Sequence, residues 1–344
     1  MAEGLKNPLV ISDRERVIGF LGTVCRRRAP LLAALAAAAA CLVAPGVAGA
    51  TEKITTNVTK LQLRVDGKGR AVVSWTKGGV RRHAAVWGAI NARHPSTVLP
   101  QVRFKIDFSG GAMKLGFPLH KTINNRCGRY DGPSIPWLVK ACKAPDGSYW
   151  ALQAFKRLLP NLGMTPWLPS QRHREIHLSH WKGPIAKLEV YADWVMSMRW
   201  HELFGRLTYK GVGVHGFKAS RYGVPLDRYG RLIYLDTYNS ALGAGWKREN
   251  SFLARRKATP GHFCYHFVPR DRYAWFPPGP RRPAAQGDMY RLTGGGPGVT
   301  PFVMTRLQGL ADFDADNPEH QRIEGEMNPL KTVVVGPDDG CMGD

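Results

Sequence analysis

From Thr59 to Ile90 apolar and polar positions alternate with a period of two, and glycine turns interrupt the alternation. That is the pattern of a β-meander rather than a helix. Leu61, Leu63 and Val65 share one strand face, Asp66-Gly67-Lys68-Gly69 is a hairpin signal, and Ala71 to Trp75 is the returning strand. Lys77-Gly78-Gly79 turns the chain again into Val80 to Trp87. Val102, Phe104, Ile106 and Phe108 alternate along a further strand, expected to present all four on one face and to end at Ser109-Gly110-Gly111. Between Asn124 and Pro169 the pattern loosens: Ile135 to Cys142 reads as a short helix, and Tyr149 to Leu159 fits strand or helix, leaning to helix at its end. Strand patterns return at Glu175–Trp181, Ala186–Met196, Leu203–Tyr209, Val212–Phe217, Leu232–Tyr238, Phe263–Val268 and Tyr290–Leu292. Many short strands between Gly/Pro turns give a mainly β protein, with a β-sandwich-type C-terminal part and a β-rich N-terminal part holding one or two short helices.

The chain before Thr51 follows a different pattern. Arg26-Arg27-Arg28, the apolar run Leu31 to Val43 and the small residues Ala48-Gly49-Ala50 have the three-part layout of a secretory signal peptide. Residues 1–50 are therefore expected to be removed, leaving a protein in the secreted or cell-envelope compartment. Membrane attachment would arise only through an uncleaved leader or a lipid anchor on Cys41; Pro30, Pro45 and Gly46 count against the first and Ala38-Ala39-Ala40 against the second. The expected organisation is a leader at 1–50, an N-terminal β-rich domain at 51–185, a C-terminal sandwich-like domain at 186–310 and a polar tail at 311–344.

Composition adds a partner class. The chain of 344 residues carries a formal net charge of +23, a field that favours polyanions. The basic residues are spread out in short pairs such as Arg81-Arg82, Arg255-Arg256 and Arg281-Arg282. Such scatter predicts no specific nucleic-acid interface and leaves a glycan or anionic polymer as the expected partner. Four cysteines follow the leader, Cys127, Cys142, Cys264 and Cys341. In an exported protein an even number reads as two disulfides, for which nearest-neighbour pairing is expected.

One stretch carries a resemblance. Gly205-Arg-Leu-Thr-Tyr-Lys-Gly-Val-Gly-Val-His-Gly216, followed by Pro225-Leu-Asp-Arg-Tyr-Gly230-Arg-Leu-Ile-Tyr234, resembles the prealbumin-like sandwich repeats of the carboxypeptidase-regulatory and Cna-B type, with Gly213 where that pattern has Pro. The resemblance implies a β-sandwich with a structural or binding role and brings no catalytic residues.

Candidate chemistry is sparse. His173, Glu175 and His177 alternate and would share one strand face, a possible zinc set, although the helical His-Glu-x-x-His spacing of zincins is absent. Asp312, Asp314 and Asp316 open like a calcium loop but lack its glycine and its closing glutamate. His262, Cys264 and His266 alternate as a Cys–His nucleophile would, against which the disulfide reading of Cys264 stands. No nucleophile elbow, P-loop or dinucleotide fingerprint occurs, so no catalytic residue and no cofactor is assigned. All ten tryptophans lie after the leader. Trp246 and Trp275, in Gly/Pro/Arg-rich stretches expected to be loops, and Arg255 and Arg256 are the ligand-binding candidates, because aromatic faces stack on sugar rings and arginines hold anions. The leading expectation is a non-catalytic envelope or extracellular binding module. The competing classes are a secreted hydrolase using the His173–His180 region and a structural envelope protein.

Overall fold

Glycine turns cut the chain into strands that pair mostly with their sequence neighbours. The computed structural model describes residues 51–94, 101–156, 173–214, 218–219, 225–226, 233–241, 243–248, 252–253, 261–268, 286–337 and 339–342. Strands β2 (Thr59–Val65), β3 (Ala71–Lys77), β4 (Val80–Trp87) and β5 (Lys105–Asp107) form an antiparallel sheet in that order. A second antiparallel sheet has the order β1 (Glu52–Thr56), β8 (Arg174–Trp181), β7 (Tyr149–Lys156), β6 (Leu138–Lys143). Alternation then makes the core. Ala71, Val73, Trp75, Ala84 and Val86 of the first sheet meet Ile54, Trp150, Leu152, Ala154, Ile176 and Leu178 of the second in one buried cluster, the face-to-face packing of a sandwich. The opposite face of β3 and β4 is covered at Val72 and Ala85 by Leu119 of the short helix α1 (Leu119–Thr122) and by Ile123.

The second half repeats the arrangement. β9 (Lys187–Val195) pairs with β10 (Trp200–Tyr209), which also pairs with β11 (Val212–Gly213) and β17 (His262–Phe267), and β17 pairs with β16 (Phe252–Leu253). Facing it is the sheet β15 (Gly243–Arg248), β14 (Ile233–Ser240), β18 (Met289–Gly295), β19 (Phe302–Gln308), and β12 (Lys218–Ala219) and β13 (Pro225–Leu226) form a two-stranded ribbon. Leu203, Phe263, Tyr265 and Phe267 of the one sheet and Ile233, Leu235, Tyr290 and Leu292 of the other fill the shared core. Buried between the two halves, the Gln153 side chain of β7 accepts from Phe302 N at 2.9 Å and donates to Phe302 O at 3.1 Å. The residues from Val47 onward form one compact unit.

Both nearest-neighbour disulfides are formed: Cys127–Cys142 and Cys264–Cys341, with Cα atoms 5.3 and 5.7 Å apart, within the usual range for the bond. Paired cysteines point to an oxidising environment. Among the described residues no helix is long and apolar enough to cross a membrane.

Two local expectations are corrected and one left open is decided. Ile135 to Cys142 is not a helix: Leu138–Lys143 is strand β6, because β7 offers it an antiparallel partner with one irregularity between Leu138 and Lys140, and pairing outweighs local propensity. The strand through Val102 to Phe108 is confined to Lys105–Asp107. The Asp107 carboxylate accepts from Ser109 N at 2.9 Å and Lys114 N at 2.7 Å, which turns the chain and leaves Phe108 exposed rather than beside Phe104 in the core. The part of Tyr149–Leu159 that is described is strand β7 to its end at Lys156.

Residues 311–344, read as a polar tail, carry the longest described helix, α2 (Pro318–Val335), and the short α3 (Asp339–Met342). Asn317 caps α2 by accepting from Glu319 N at 2.9 Å, and Pro318 sits at its first position, where no intrahelical donor is lost. Val334 and Val335 of α2, with Cys341, pack on Phe204 and Cys264. The helix thus covers the outer face of the β9–β10–β17 sheet.

Candidate binding site

Period two places two kinds of residue on β14. Ile233 and Leu235 point into the core, so Tyr234, Asp236 and Tyr238 point out. Pairing extends that outer face across the sheet. Asp236 stands opposite Arg248 of β15 and Arg291 of β18, and Arg291 stands opposite Arg306 of β19. One row across the sheet therefore reads Arg248, Asp236, Arg291, Arg306. The adjacent row places Trp246 beside Tyr238, with ring centroids 5.1 Å apart.

The Asp236 side chain is only 3% exposed and is the anchor of this face. Its Oδ2 accepts from Arg291 Nη2 at 2.8 Å and Nε at 3.0 Å, and its Oδ1 lies 2.9 Å from Arg248 Nη2. Two guanidinium groups against one carboxylate leave the row positive, and the planar fork fixes their orientation. Arg248 lies 4.8 Å from the Tyr234 ring centroid. Arg291 lies 4.3 Å from that of Trp246 and 5.9 Å from that of Trp137, and Arg306 is 5.8 Å from Trp246. All of these are cation–π distances. Beyond Arg291 the face opens into a hollow of about 340 Å³ lined by Trp137, Phe155, Lys156, Arg174 and Arg291, in which Lys156 and Arg174 are exposed.

Trp246 is not in a loop, as its Gly-rich surroundings suggest, but on the edge strand β15, half-buried. The reason is local. Asn239 adopts a left-handed conformation with φ 48°, and its Oδ1 accepts from Gly245 N at 2.8 Å. This bulged hairpin turns the chain back within a few residues and aims Trp246 at Arg291. Trp275, Arg255 and Arg256 lie outside the described residues. Sequence reasoning missed Arg291, Arg306, Trp137 and Asp236 as a group; the only available signal was the alternation of Asp236 with Leu235 on one strand, since their meeting depends on strand register.

The residues proposed for zinc are placed otherwise. Glu175 and His177 are buried on β8, with His177 Nε2 3.1 Å from Glu175 Oε2 and His177 Nδ1 2.8 Å from Thr51 Oγ1. His177 also stacks on Phe155, ring centroids 4.8 Å apart. Both ring nitrogens are thus engaged within the protein, and His173, just before β8, does not complete a ligand set with them. Among the described residues the His/Cys/Asp/Glu group close enough for a metal is Glu202, Cys264 and His266, and there Cys264 is bonded to Cys341. That bond also removes the thiolate a Cys–His nucleophile needs. Asp314 closes the turn before α2 by accepting from Asp316 N at 3.0 Å, while Asp312 Oδ1 accepts from Gln286 Nε2 at 3.1 Å.

His180 is held between Ala89 O at 2.7 Å from Nδ1 and Ser148 Oγ at 2.9 Å from Nε2, with its ring stacked on Trp150. Burial pushes its pKa down to about 4, below the ordinary 6.5. The unfolded chain therefore binds the proton first, and stability falls as pH drops through the window from about 6.5 to 4. The expected loss from this residue is roughly 3 kcal/mol. Urea unfolding at pH 7.5 and pH 4 measures it. Equal pH dependence in wild type and His180→Gln would contradict this assignment.

No family model, curated protein or solved structure matches this chain.

Proposed function

We propose that the protein is a non-catalytic extracytoplasmic binding module for an acidic glycan, held on the outer face of the β15–β14–β18–β19 sheet. The observation that carries this reading is the Arg291 guanidinium, locked edge-on by buried Asp236 and laid against the Trp246 ring. A sugar ring needs a flat apolar surface, which Trp246 and Trp137 offer. Its carboxylate or sulfate needs cationic donors, which Arg291, Arg174 and Lys156 supply around the hollow and Arg306 beside Trp246. Because Arg291 and Arg248 are already oriented by Asp236, these two lose little side-chain freedom on binding. The signal-peptide pattern at residues 1–50 and the two disulfides support an exported location, where such polymers occur.

Isothermal titration with uronate-containing oligosaccharides, against neutral ones of equal length, tests the proposal. Acidic oligosaccharides are expected to bind and neutral ones to bind far more weakly, with affinity falling as salt rises. Trp246→Ala and Arg291→Ala should each weaken binding by about 10- to 100-fold, the range of central aromatic and arginine contacts. Binding that is indifferent to both substitutions, or equal for the neutral sugar, would remove this face from consideration.

A further inference from the structure

The sheet β2–β3–β4–β5 stops short at one edge. β5 pairs with β4 only at Ala85, Val86 and Trp87, so from Val80 to Ala84 no described strand lies on that side. The chain leaves the edge at Phe108, held by the buried Asp107. Its Oδ1 accepts from Ser109 N at 2.9 Å and Ser109 Oγ at 2.6 Å, and its Oδ2 from Met113 N at 3.1 Å and Lys114 N at 2.7 Å. Donors converging on one carboxylate fix the loop in a shape that keeps its apolar side chains out of the core. Phe108 is 61% exposed and Met113 84%, and Val80, at the end of the β3–β4 turn, is 55% exposed. Large apolar side chains gathered in water mark an interaction surface.

The surroundings of this patch are cationic. A hollow of about 720 Å³ is lined by Phe108, Val80, Trp75, Lys77, Arg81 and Arg82 among others, with no acidic residue in its wall. Nearby carboxylates are spent: Asp107 on backbone donors and Asp66 on Arg70, 2.7 Å away. The positive field reaches His83, whose pKa is held below its ordinary value by burial and then by His120, Arg81 and Arg64. The wall also holds a buried donor. Trp75 is 4% exposed, and its Nε1–H has no acceptor among the described residues, where buried donors are normally paired.

We propose that this edge docks the protein on an anionic phospholipid bilayer, independently of the leader. Phe108, Met113 and Val80 enter the boundary between headgroups and acyl chains. Lys77, Arg82 and Lys114 hold lipid phosphates, one of them in the hollow, where a phosphate oxygen accepts from Trp75 Nε1. An apolar tip within a basic rim matches a surface that is apolar beneath and anionic above. A soluble acidic polymer would engage the same cations but leave Phe108 and Met113 in water, so the bilayer is the occupant that uses the whole patch. Because Asp107 already orders the loop, little backbone freedom is lost on docking.

Co-sedimentation with lipid vesicles tests this, using exported protein whose intact mass shows the leader removed. Vesicles containing phosphatidylglycerol are expected to bind it, and pure phosphatidylcholine vesicles far less. A net charge of +23 would by itself draw the chain to anionic vesicles, so the apolar residues are the deciding ones. Phe108→Ser and Met113→Ser should each weaken binding by about tenfold or more, and Lys77→Gln and Arg82→Gln each by about fivefold. All four sites are exposed, so the variants should unfold in urea like the wild type. Trp246→Ala should leave vesicle binding unchanged, which separates this surface from the proposed glycan face. Binding that falls with the lysine and arginine variants but not with Phe108→Ser or Met113→Ser would overturn the proposal and leave only unspecific attraction. Equal binding to neutral and anionic vesicles would also overturn it. A dimer in sedimentation velocity that Met113→Ser dissolves would assign the patch to a second copy of the chain instead.

Discussion

Replacing Asp236 with asparagine is expected to destabilise the fold by about 3–5 kcal/mol, the range for breaking a buried ion pair from one side. Asparagine keeps the shape and removes the charge. Arg248 and Arg291, whose side chains are 8% and 14% exposed, would then face each other across a neutral group. The measurement is the free energy of urea unfolding at neutral pH. A second substitution checks the mechanism: adding Arg248→Met to Asp236→Asn should recover part of the loss, because one of the two stranded cations is gone. A loss below about 1 kcal/mol, in the range of exposed pairs, would mean that Asp236 does not organise the face. The same variant should weaken acidic-oligosaccharide binding, because Arg291 would no longer be held against Trp246.

Removing the Cys264–Cys341 disulfide by paired substitution to alanine is expected to cost about 4–5 kcal/mol, from the loop-closure entropy of its span. The bond closes a sequence separation of 77 residues, against 15 for Cys127–Cys142, for which the same reasoning gives about 3 kcal/mol. Urea unfolding of each double-alanine variant beside the wild type measures both losses. A larger loss from the shorter loop would show that packing around the bonds, not chain entropy, sets their contributions.

The sequence alone determined what depends on near neighbours. Alternation at Ala71–Trp75 and Val80–Trp87, with glycines between them, specified β3, β4 and their hairpin, because strand faces and tight turns are set within a few residues. Four cysteines after the leader announced two disulfides and left three connectivities, among which the fold selects the nearest-neighbour pairs. The aromatic and arginine usage suggested the kind of partner, and Trp246 was singled out from it. Tertiary structure decided what depends on register and on cover. Leu138–Cys142, read as part of a helix, became strand because β7 was there to pair with it. Asp236, Arg291 and Trp246 lie on three different strands and meet only because β14 pairs with β15 on one side and β18 on the other. Lys331 shows the limit most clearly. In a segment rich in charge and interrupted by Pro329 it reads as one more solvated lysine. Its burial follows from Asp193 and Glu202, more than a hundred residues earlier in the chain, because a buried ammonium is tolerable only where the fold supplies opposite charge, and no local pattern records that.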